Sequence, residues 1–337
     1  MLVLGIESTC DETACAIVHN GKKILANVVA SQIDLHREYG GVVPELACRR
    51  HIDLMIPVIQ QALQEGQLTL AQIDLIAVAH GPGLIGALLI GLNTAKSLAL
   101  ALKIPFIGVN HIEAHLYAAI MSHDKSIQLP SLGVVLSGGH TSLILIKALG
   151  DYQLIGQTVD DAVGEAFDKV AKMMELPYPG GPQIEALACY GDPRHYPFKG
   201  GNVKGSPFDF SFSGLKTAVL YSLRGPKGVD SLENISKQTK CDIAASFQYA
   251  AVKDIVKKTY AAADLHQVKT IIFGGGVTNN LYLREQFNRS DLPHLWPAAG
   301  LSLDNAAMIA GLGYHKYLVQ GPDPWDLAPL TRMPLNR

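Results

Sequence analysis

The segment Asn110-His-Ile-Glu-Ala-His115 places two histidines four residues apart. At a helix start, that spacing projects both imidazoles from one face and lets two rings ligate one metal ion. With 12 histidines in the chain, the spacing on its own fits equally well a surface helix that happens to hold two. The segment is not the H-E-x-x-H motif of metalloproteases, in which the base follows the first histidine directly. Here Glu113 comes two positions on, roughly 200° around the helix, and points away from the face of the two rings. A third ligand has to come from elsewhere. Asp304, in Leu301-Ser-Leu-Asp-Asn305, is a candidate, although an aspartate before a helix is often just an N-cap. Two histidines and one carboxylate would leave positions open for water or substrate, a set that suits iron or zinc.

Other chemistry-bearing residues sit in loops. Glu7–Glu12 holds three acids, Glu7, Asp11 and Glu12. Acids beside a phosphate site act through a cation or as a base, and the plainer reading is turn chemistry. Ser137-Gly138-Gly139 follows an apolar strand and can bring backbone N–H groups to an anion. Gly274-Gly275-Gly276 lies between strand and helix, where a missing Cβ lets a flat ring or phosphate approach. Neither matches the P-loop or G-x-G-x-x-G. In two duplicated lobes both loops would face one cleft, which makes a nucleotide site. Asp160, Asp161, Glu165 and Asp168 form a second acidic group around a helix start; some must be caps, and one is a candidate for ribose hydroxyls. Arg49-Arg50-His51, Lys199 with Lys204, and Lys216 are the basic candidates for nucleic-acid contact, with a solvated face as the ordinary reading.

The elements that must position these residues read as two copies of one syntax. Leu2–Ile6, Thr13–Val18 and Ile24–Ala30 are three strands, with His19-Asn20-Gly21 as a hairpin turn. Leu132–Leu136, Leu143–Ile146 and Tyr152–Val159 repeat the pattern about 130 residues later. The repeat is one of pattern and not of side-chain identity, and it implies an internal duplication. Each triple is followed by helix–strand alternation. In the first half come a helix from Pro44 (stripe Leu46, Met55, Val58, Ile59, Ala62, Leu63), strand Ile73–Ala79, helix Gly86–Leu102, strand Ile104–Val109 and helix His111–Met121. In the second half come helices Gly164–Glu175, Pro182–Tyr190, Ser213–Leu223 and Asp242–Ala263, strand Val268–Phe273 and helix Asp304–Leu318. Residues 191–210 read as a long loop. The alternation argues an α/β fold with sheets covered on both faces. The expected lobes are 1–125 and 126–337, joined by the polar Ser122-His-Asp-Lys-Ser126, with an insertion around 175–230 and the last helix free to pack back on the first lobe.

Composition sets the outer bounds. The 337 residues are 48% hydrophobic and 17% charged, which excludes global disorder. Lys plus Arg is 28 and Asp plus Glu is 30, a net charge of −2, so bulk charge alone would not hold nucleic acid. The five cysteines are irregularly spaced without C-x-x-C, which reads as reduced thiols and not a disulfide framework. The N-terminus has no basic lead, unlike a signal peptide. The apolar run Leu84–Leu102 is interrupted by Asn93, Thr94 and Lys96, so a buried helix is expected there and not a membrane span.

Nine ordered motifs resemble one family. They are Gly5-Ile-Glu-Ser-Thr-Cys-Asp-Glu-Thr13, Tyr39-Gly-Gly-Val-Val-Pro-Glu45, Lys96 through His115, Ser137-Gly-Gly-His-Thr141, Gly164-Glu-Ala-Phe-Asp-Lys169, Tyr178-Pro-Gly-Gly-Pro182, Phe210-Ser-Phe-Ser-Gly-Leu-Lys-Thr217, Gly275-Gly-Val-Thr-Asn-Asn280 and Asp304-Asn305. Together they resemble the tRNA N6-adenosine threonylcarbamoyltransferases, the TsaD family once described as O-sialoglycoprotein endopeptidases. The likeness runs from residue 3 to about 318, and Ser31–His51 is similar to the bacterial or organellar branch. Ser8-Thr9 replaces the commoner Thr-Ser order.

The resemblance implies an α/β, two-lobed, duplicated actin-like and Hsp70-like (ASKHA) fold. It implies transfer of threonylcarbamoyl from threonylcarbamoyl-AMP to N6 of the adenosine 3′-adjacent to the anticodon, in tRNAs reading codons that begin with A. His111, His115 and Asp304 match the family's ligands for one divalent metal ion per subunit, iron(2+) first and zinc as the alternative. Val135, Leu136, Ser137, Gly138, Gly139, Asp168, Gly181 and Asn280 match its substrate-binding positions, and Glu185 stands where the family often has an acid. Asp11 and Glu12 are the candidate catalytic acids. The implied partners are the tRNA anticodon loop, a TsaB-like paralogue and a TsaE-like ATPase, in the cytoplasm and without a membrane. An ASKHA-fold phosphotransferase would explain the lobes and loops but not the histidines. A metalloprotease would explain the histidines alone. A nucleotide-dependent scaffold would show no turnover.

Overall fold

Strand residues that alternate in sequence part into two cores. In the first sheet, Val3, Ala14, Ala16, Val18, Leu75 and Ala77 face one apolar cluster, and Leu4, Ile6, Cys15, Ile17 and Ile76 face another. A pleated strand sends successive side chains to opposite faces, so a sheet buried on both sides reads as a continuous apolar run. The structure is a computed structural model and describes residues 1–124, 127–224, 235–288, 291–333 and 335. Lys125 and Ser126 of the polar link, and residues 225–230 of the expected insertion, lie outside the described residues.

The chain divides into two units. The first holds the described residues up to 124 and those from 297 onward to 335. Its strands are β1 (Leu2–Glu7), β2 (Glu12–His19), β3 (Lys23–Ser31), β4 (Leu75–Gly81) and β5 (Phe106–Asn110), and its helices α1 (Ile33–Arg37), α2 (Pro44–Glu65), α3 (Ile85–Leu102) and α4 (His111–Met121). The sheet order is β3-β2-β1-β4-β5, antiparallel through β1–β3 and parallel from β1 to β5. The hairpin turns at Asn20 and Gly21, both at positive φ (50° and 74°), as its sequence predicted. α2 and α3 cover one face; α4 and the C-terminal helix, residues 306–320, cover the other.

The second unit spans the described residues from 127 to 296. It has β6 (Ser131–Leu136), β7 (Thr141–Ala148), β8 (Asp151–Gln157), α5 (Val163–Met173), α6 (Gly180–Ala188), α7 (Ser213–Arg224), α8 (Lys237–Leu265), β9 (Thr270–Gly274), α9 (Leu281–Phe287) and β10 (His294–Leu295). Its order, β8-β7-β6-β9-β10, repeats the first sheet strand for strand, with three antiparallel members and then two parallel ones. That identity of topology is the structural form of the duplication. The C-terminal helix of the first unit is α10 (Ala306–Gln320).

Two expectations are modified. α3 is long and apolar enough, by length and composition, to cross a membrane, but it is not wholly buried either. Ala87, Leu88, Gly91, Leu92, Ala95 and Ala99 are buried at helical spacing against the sheet, while Ile85, Leu89 and Leu100 are exposed. Residues 191–210 form no helix, as read, yet they are packed. Tyr196 stacks on Phe198, and Phe210 is fully buried in the second core.

Candidate metal centre and its surroundings

Two helix starts set the centre. β5 ends at Asn110, whose side-chain oxygen accepts the Ile112 and Glu113 N–H groups at 2.8 and 3.2 Å and begins α4. That cap fixes the first turn, so His111 and His115 emerge on one side with ring centroids 4.6 Å apart. At the other start, Asn305 is the cap of α10, accepting the Met308 N–H at 3.1 Å. The N-cap reading of Asp304 is therefore not the one the structure takes. α10 lies directly on β1: a Cβ at Gly5 would overlap the Ala306 carbonyl oxygen and Ala310. Glycine at position 5 allows the helix, and with it Asp304, to come this close.

The three groups meet. One potential ligand atom from each of His111, His115 and Asp304 lies within 4.8 Å of the others. Asp304 Oδ1 is 3.1 Å from His115 Nε2 and 3.5 Å from His111 Nε2. His115 is fully buried, and among the described residues neither of its ring nitrogens has a hydrogen-bond partner. A buried imidazole without a hydrogen bond is costly, and a cation would satisfy its lone-pair nitrogen. The donor set thus fits a divalent ion. His111 Nδ1 is 2.9 Å from Glu7 Oε2 and 3.3 Å from Thr9 Oγ1. Burial alone would push the His111 imidazole down; the charges of Glu7 and Asp304 outweigh it and raise the group to about 9.

The loop between β1 and β2 is pinned residue by residue. Ser8 donates to the Ala87 carbonyl at 2.9 Å, and the Thr9 carbonyl accepts from Leu84 N–H at 2.8 Å. The Cys10 carbonyl accepts from His51 Nε2 at 3.0 Å, and the Asp11 carbonyl accepts from Gln32 N–H at 3.1 Å. These bonds hold Asp11 and Glu12 beside the triad. Burial, then the neighbouring Asp11 and Asp304, push the Glu12 carboxyl well above the usual carboxylate range. The same three causes push the Cys10 thiol up, so it stays protonated.

His51 is a correction. Its place beside Arg49 and Arg50 predicts a basic surface, but it is fully buried, on the α2 face that also carries Ala47 and Met55. Its Nε2–H serves Cys10, so its Nδ1 accepts from the Thr13 hydroxyl at 2.7 Å. Sequence reading missed this anchor, and the i, i+4, i+8 spacing of Ala47, His51 and Met55 was the signal that would have found it. Lys216 is also withdrawn from the basic surface, since it pairs with Asp161 at 2.5 Å. Lys199 and Lys204 are exposed.

In the second unit, Val135 and Leu136 are buried in β6, which delivers the Ser137–Gly139 loop. The Ser137 N–H is used in the turn, donating to the His140 carbonyl at 2.8 Å. Gly138 and Gly139 are exposed, with open space where a Cβ would stand. Gly164 brings α5 against this loop, since a Cβ there would overlap the Ser137 carbonyl oxygen. Gly275 has a local reason to be glycine: φ is +91°, and a Cβ would overlap the Leu136 carbonyl. Asp168 accepts the Gly180 N–H at 2.7 Å, beside Gly181. Glu185 accepts the Leu281 N–H at 2.6 Å, and Asn280 caps α9 while donating to Gln248 at 2.8 Å. Asp168, Glu185 and Asn280 are thus tied into one framework through α6 and α9. Of the remaining acids, Asp160 caps α7 through Ser211, Phe212 and Ser213. Asp161 pairs with Lys169 and Lys216, and Glu165 pairs with Lys169, which leaves these three as structural groups.

Comparison with known proteins follows the same lines. The model of the family TsaD, tRNA N6-adenosine threonylcarbamoyltransferase, matches residues 23–311. The tRNA N6-adenosine threonylcarbamoyltransferase of Protochlamydia amoebophila (strain UWE25) is 70% identical over 339 residues, covering 100% of this chain and 99% of the relative. Among solved structures, full-length HypF in the phosphate- and nucleotide-bound form matches with a TM-score of 0.60 at 12% identity, covering 96% of this chain and 47% of that one. A ROK hexokinase from Thermus thermophilus matches with a TM-score of 0.52 at 13% identity, covering 95% and 100%. At these identities the structural likeness is one of fold, the duplicated actin-like class.

Proposed function

Because the chain belongs to the TsaD family of tRNA N6-adenosine threonylcarbamoyltransferases, we propose that His111, His115 and Asp304 hold the divalent metal of its reaction and that Asp11 and Glu12 are its catalytic acids. The enzyme moves threonylcarbamoyl from threonylcarbamoyl-AMP to N6 of the adenosine 3′-adjacent to the anticodon, in tRNAs reading codons that begin with A. The exocyclic amine of adenine is a weak nucleophile, since its lone pair is delocalised into the ring. The adenylate compensates with an activated carbonyl. A bond forms between N6 and the carbonyl carbon, the carbon–oxygen bond to the AMP phosphate breaks, and one N6 proton departs. Asp11 or Glu12 takes that proton or positions the phosphate. Bound at the triad, a divalent ion supplies Lewis acidity for charge developing on the carbonyl and the leaving phosphate. Iron(2+) is the proposed ion and zinc the alternative, because two imidazoles and a carboxylate suit both.

For the adenylate we assign the second unit: Val135, Leu136, Ser137, Gly138, Gly139, Asp168, Gly181, Glu185 and Asn280. With the Ser137 amide committed to its turn, we assign the amides of Gly138 and Gly139 as the donors to an anion. Asp168 and Glu185 orient ribose or adenine. The target base lies unpaired in the anticodon loop, so its N6 reaches a pocket at small unstacking cost. The partners are a TsaB-like paralogue and a TsaE-like ATPase, and the compartment is the cytoplasm.

The observation that carries this reading is the convergence of one ligand atom each from His111, His115 and Asp304, with the buried His115 ring lacking a hydrogen bond among the described residues. Incubating the chain, its partners and synthetic threonylcarbamoyl-AMP with tRNA, and analysing the nucleosides by mass spectrometry, tests it. Threonylcarbamoyladenosine should form with the wild-type chain and fall to background with His115→Ala. Equal product from both would remove the triad from the reaction.

A further inference from the structure

We propose that Glu7 is a positioning residue for the metal centre: its carboxylate fixes the ring proton of His111 on Nδ1 and so leaves Nε2 as the ligand atom. This rests on the reading of the triad as a metal site. Glu7 is the last residue of β1 and is fully buried. A carboxylate is tolerated in such a place when donors satisfy it. Two do: Thr9 N–H reaches Oε1 at 2.6 Å, and His111 Nδ1 lies 2.9 Å from Oε2. An ionised carboxylate only accepts, so Nδ1 must carry the hydrogen of that bond. In a neutral imidazole the lone pair then sits on Nε2, which is the nitrogen 3.5 Å from Asp304 Oδ1. Ligating histidines commonly give their other N–H to a carboxylate, which fixes tautomer and ring orientation together.

The two histidines are not equivalent in this respect. Among the described residues His115 Nδ1 has no hydrogen-bond partner. Glu7 therefore anchors one ligand of the pair, and the backbone of Thr9 anchors Glu7. The assignment also gives the fully buried acid of the β1–β2 segment a task distinct from that of Asp11 and Glu12.

Glu7→Gln isolates the effect because it keeps the shape and removes one acceptor. A single amide oxygen cannot serve both donors. If it keeps Thr9 N–H, the amide NH₂ faces Nδ1 and forces the ring proton onto Nε2, which blocks the ligand atom. If it keeps Nδ1–H, Thr9 N–H is left without its partner. Zinc affinity of the full-length chain should be measured by competition with a chromophoric chelator, and the imidazole protons of the zinc-loaded wild-type chain by nitrogen-correlated NMR. The expected results are a 10–100-fold weaker zinc affinity in Glu7→Gln and, in the wild type, a slowly exchanging His111 proton on Nδ1. Equal affinity in the two chains overturns the assignment, and so does a wild-type His111 without a proton on Nδ1. A wild-type chain that binds neither zinc nor iron(2+) overturns the metal reading itself. Should the variant fail to fold, the wild-type spectrum decides alone.

Discussion

Asp304 Oδ1 lies 3.1 Å from Nε2 of His115, while its neighbour Asn305 takes the capping of α10. The cap and the proposed ligand are thus adjacent residues. Asn305→Ala should cost about 1 kcal/mol in stability, measured by denaturation, through loss of the cap. Asp304→Asn should keep the fold and lose the ion, measured by metal analysis after gel filtration. An Asp304→Asn chain that retains one ion per molecule would contradict the division.

Gly5→Ala should be felt at a distance. The added methyl overlaps the Ala306 carbonyl and Ala310, so α10 must shift off β1. Overpacking of this kind costs about 1–3 kcal/mol. Because Asp304 precedes α10, metal affinity should fall in the same variant. A destabilised chain with unchanged affinity would uncouple the helix from the site.

His51 gives the chain a pH dependence. Burial pushes its imidazole below the usual value of about 6.5, despite the bond to Cys10. The unfolded chain then binds the extra proton first. The stability contributed by neutral His51 is present above pH ~6.5 and is lost as pH falls below that value toward the folded one. His51→Gln should flatten the decline in denaturation midpoint between about pH 7 and 5. Parallel profiles for wild type and variant would dismiss the residue as the source.

Asp11→Asn and Glu12→Gln test the acids. Loss of a positioned base costs about 10²–10⁴-fold in rate, so at least one variant should show such a drop in single-turnover transfer. Near-normal rates in both would take them out of the mechanism.

Binding of tRNA should depend steeply on salt and be weak for the isolated chain, since the net charge is −2 and Lys216 is committed to Asp161. Filter binding across a salt series measures it. Tight, salt-insensitive binding would point to a different grip.

Much of the fold was legible because the strands are buried on both faces and the Asn20-Gly21 turn admits one hairpin geometry. Helix α4 was read from His111 to Met121, as it stands. The short elements α9 and β10, of seven and two residues, carry too little periodicity to announce themselves. At the site, the four-residue histidine spacing was visible and Asp304 stood out as a candidate third ligand, with the N-cap as its rival reading. Aspartate and asparagine are equally good caps, and only the coordinates show which of Asp304 and Asn305 is used. The Glu7–His111 bond joins residues 104 apart in sequence, a separation that no local pattern encodes. For His51 the two preceding arginines suggest a surface, whereas its helical phase with Ala47 and Met55 points inward.

The most direct measurement is anomalous diffraction from crystals of the chain grown with iron(2+) or zinc. The account predicts one peak per molecule, about 2.0–2.2 Å from Nε2 of His111, Nε2 of His115 and a carboxylate oxygen of Asp304. A peak elsewhere, or an empty map around those three atoms in crystals soaked with either metal, would contradict it.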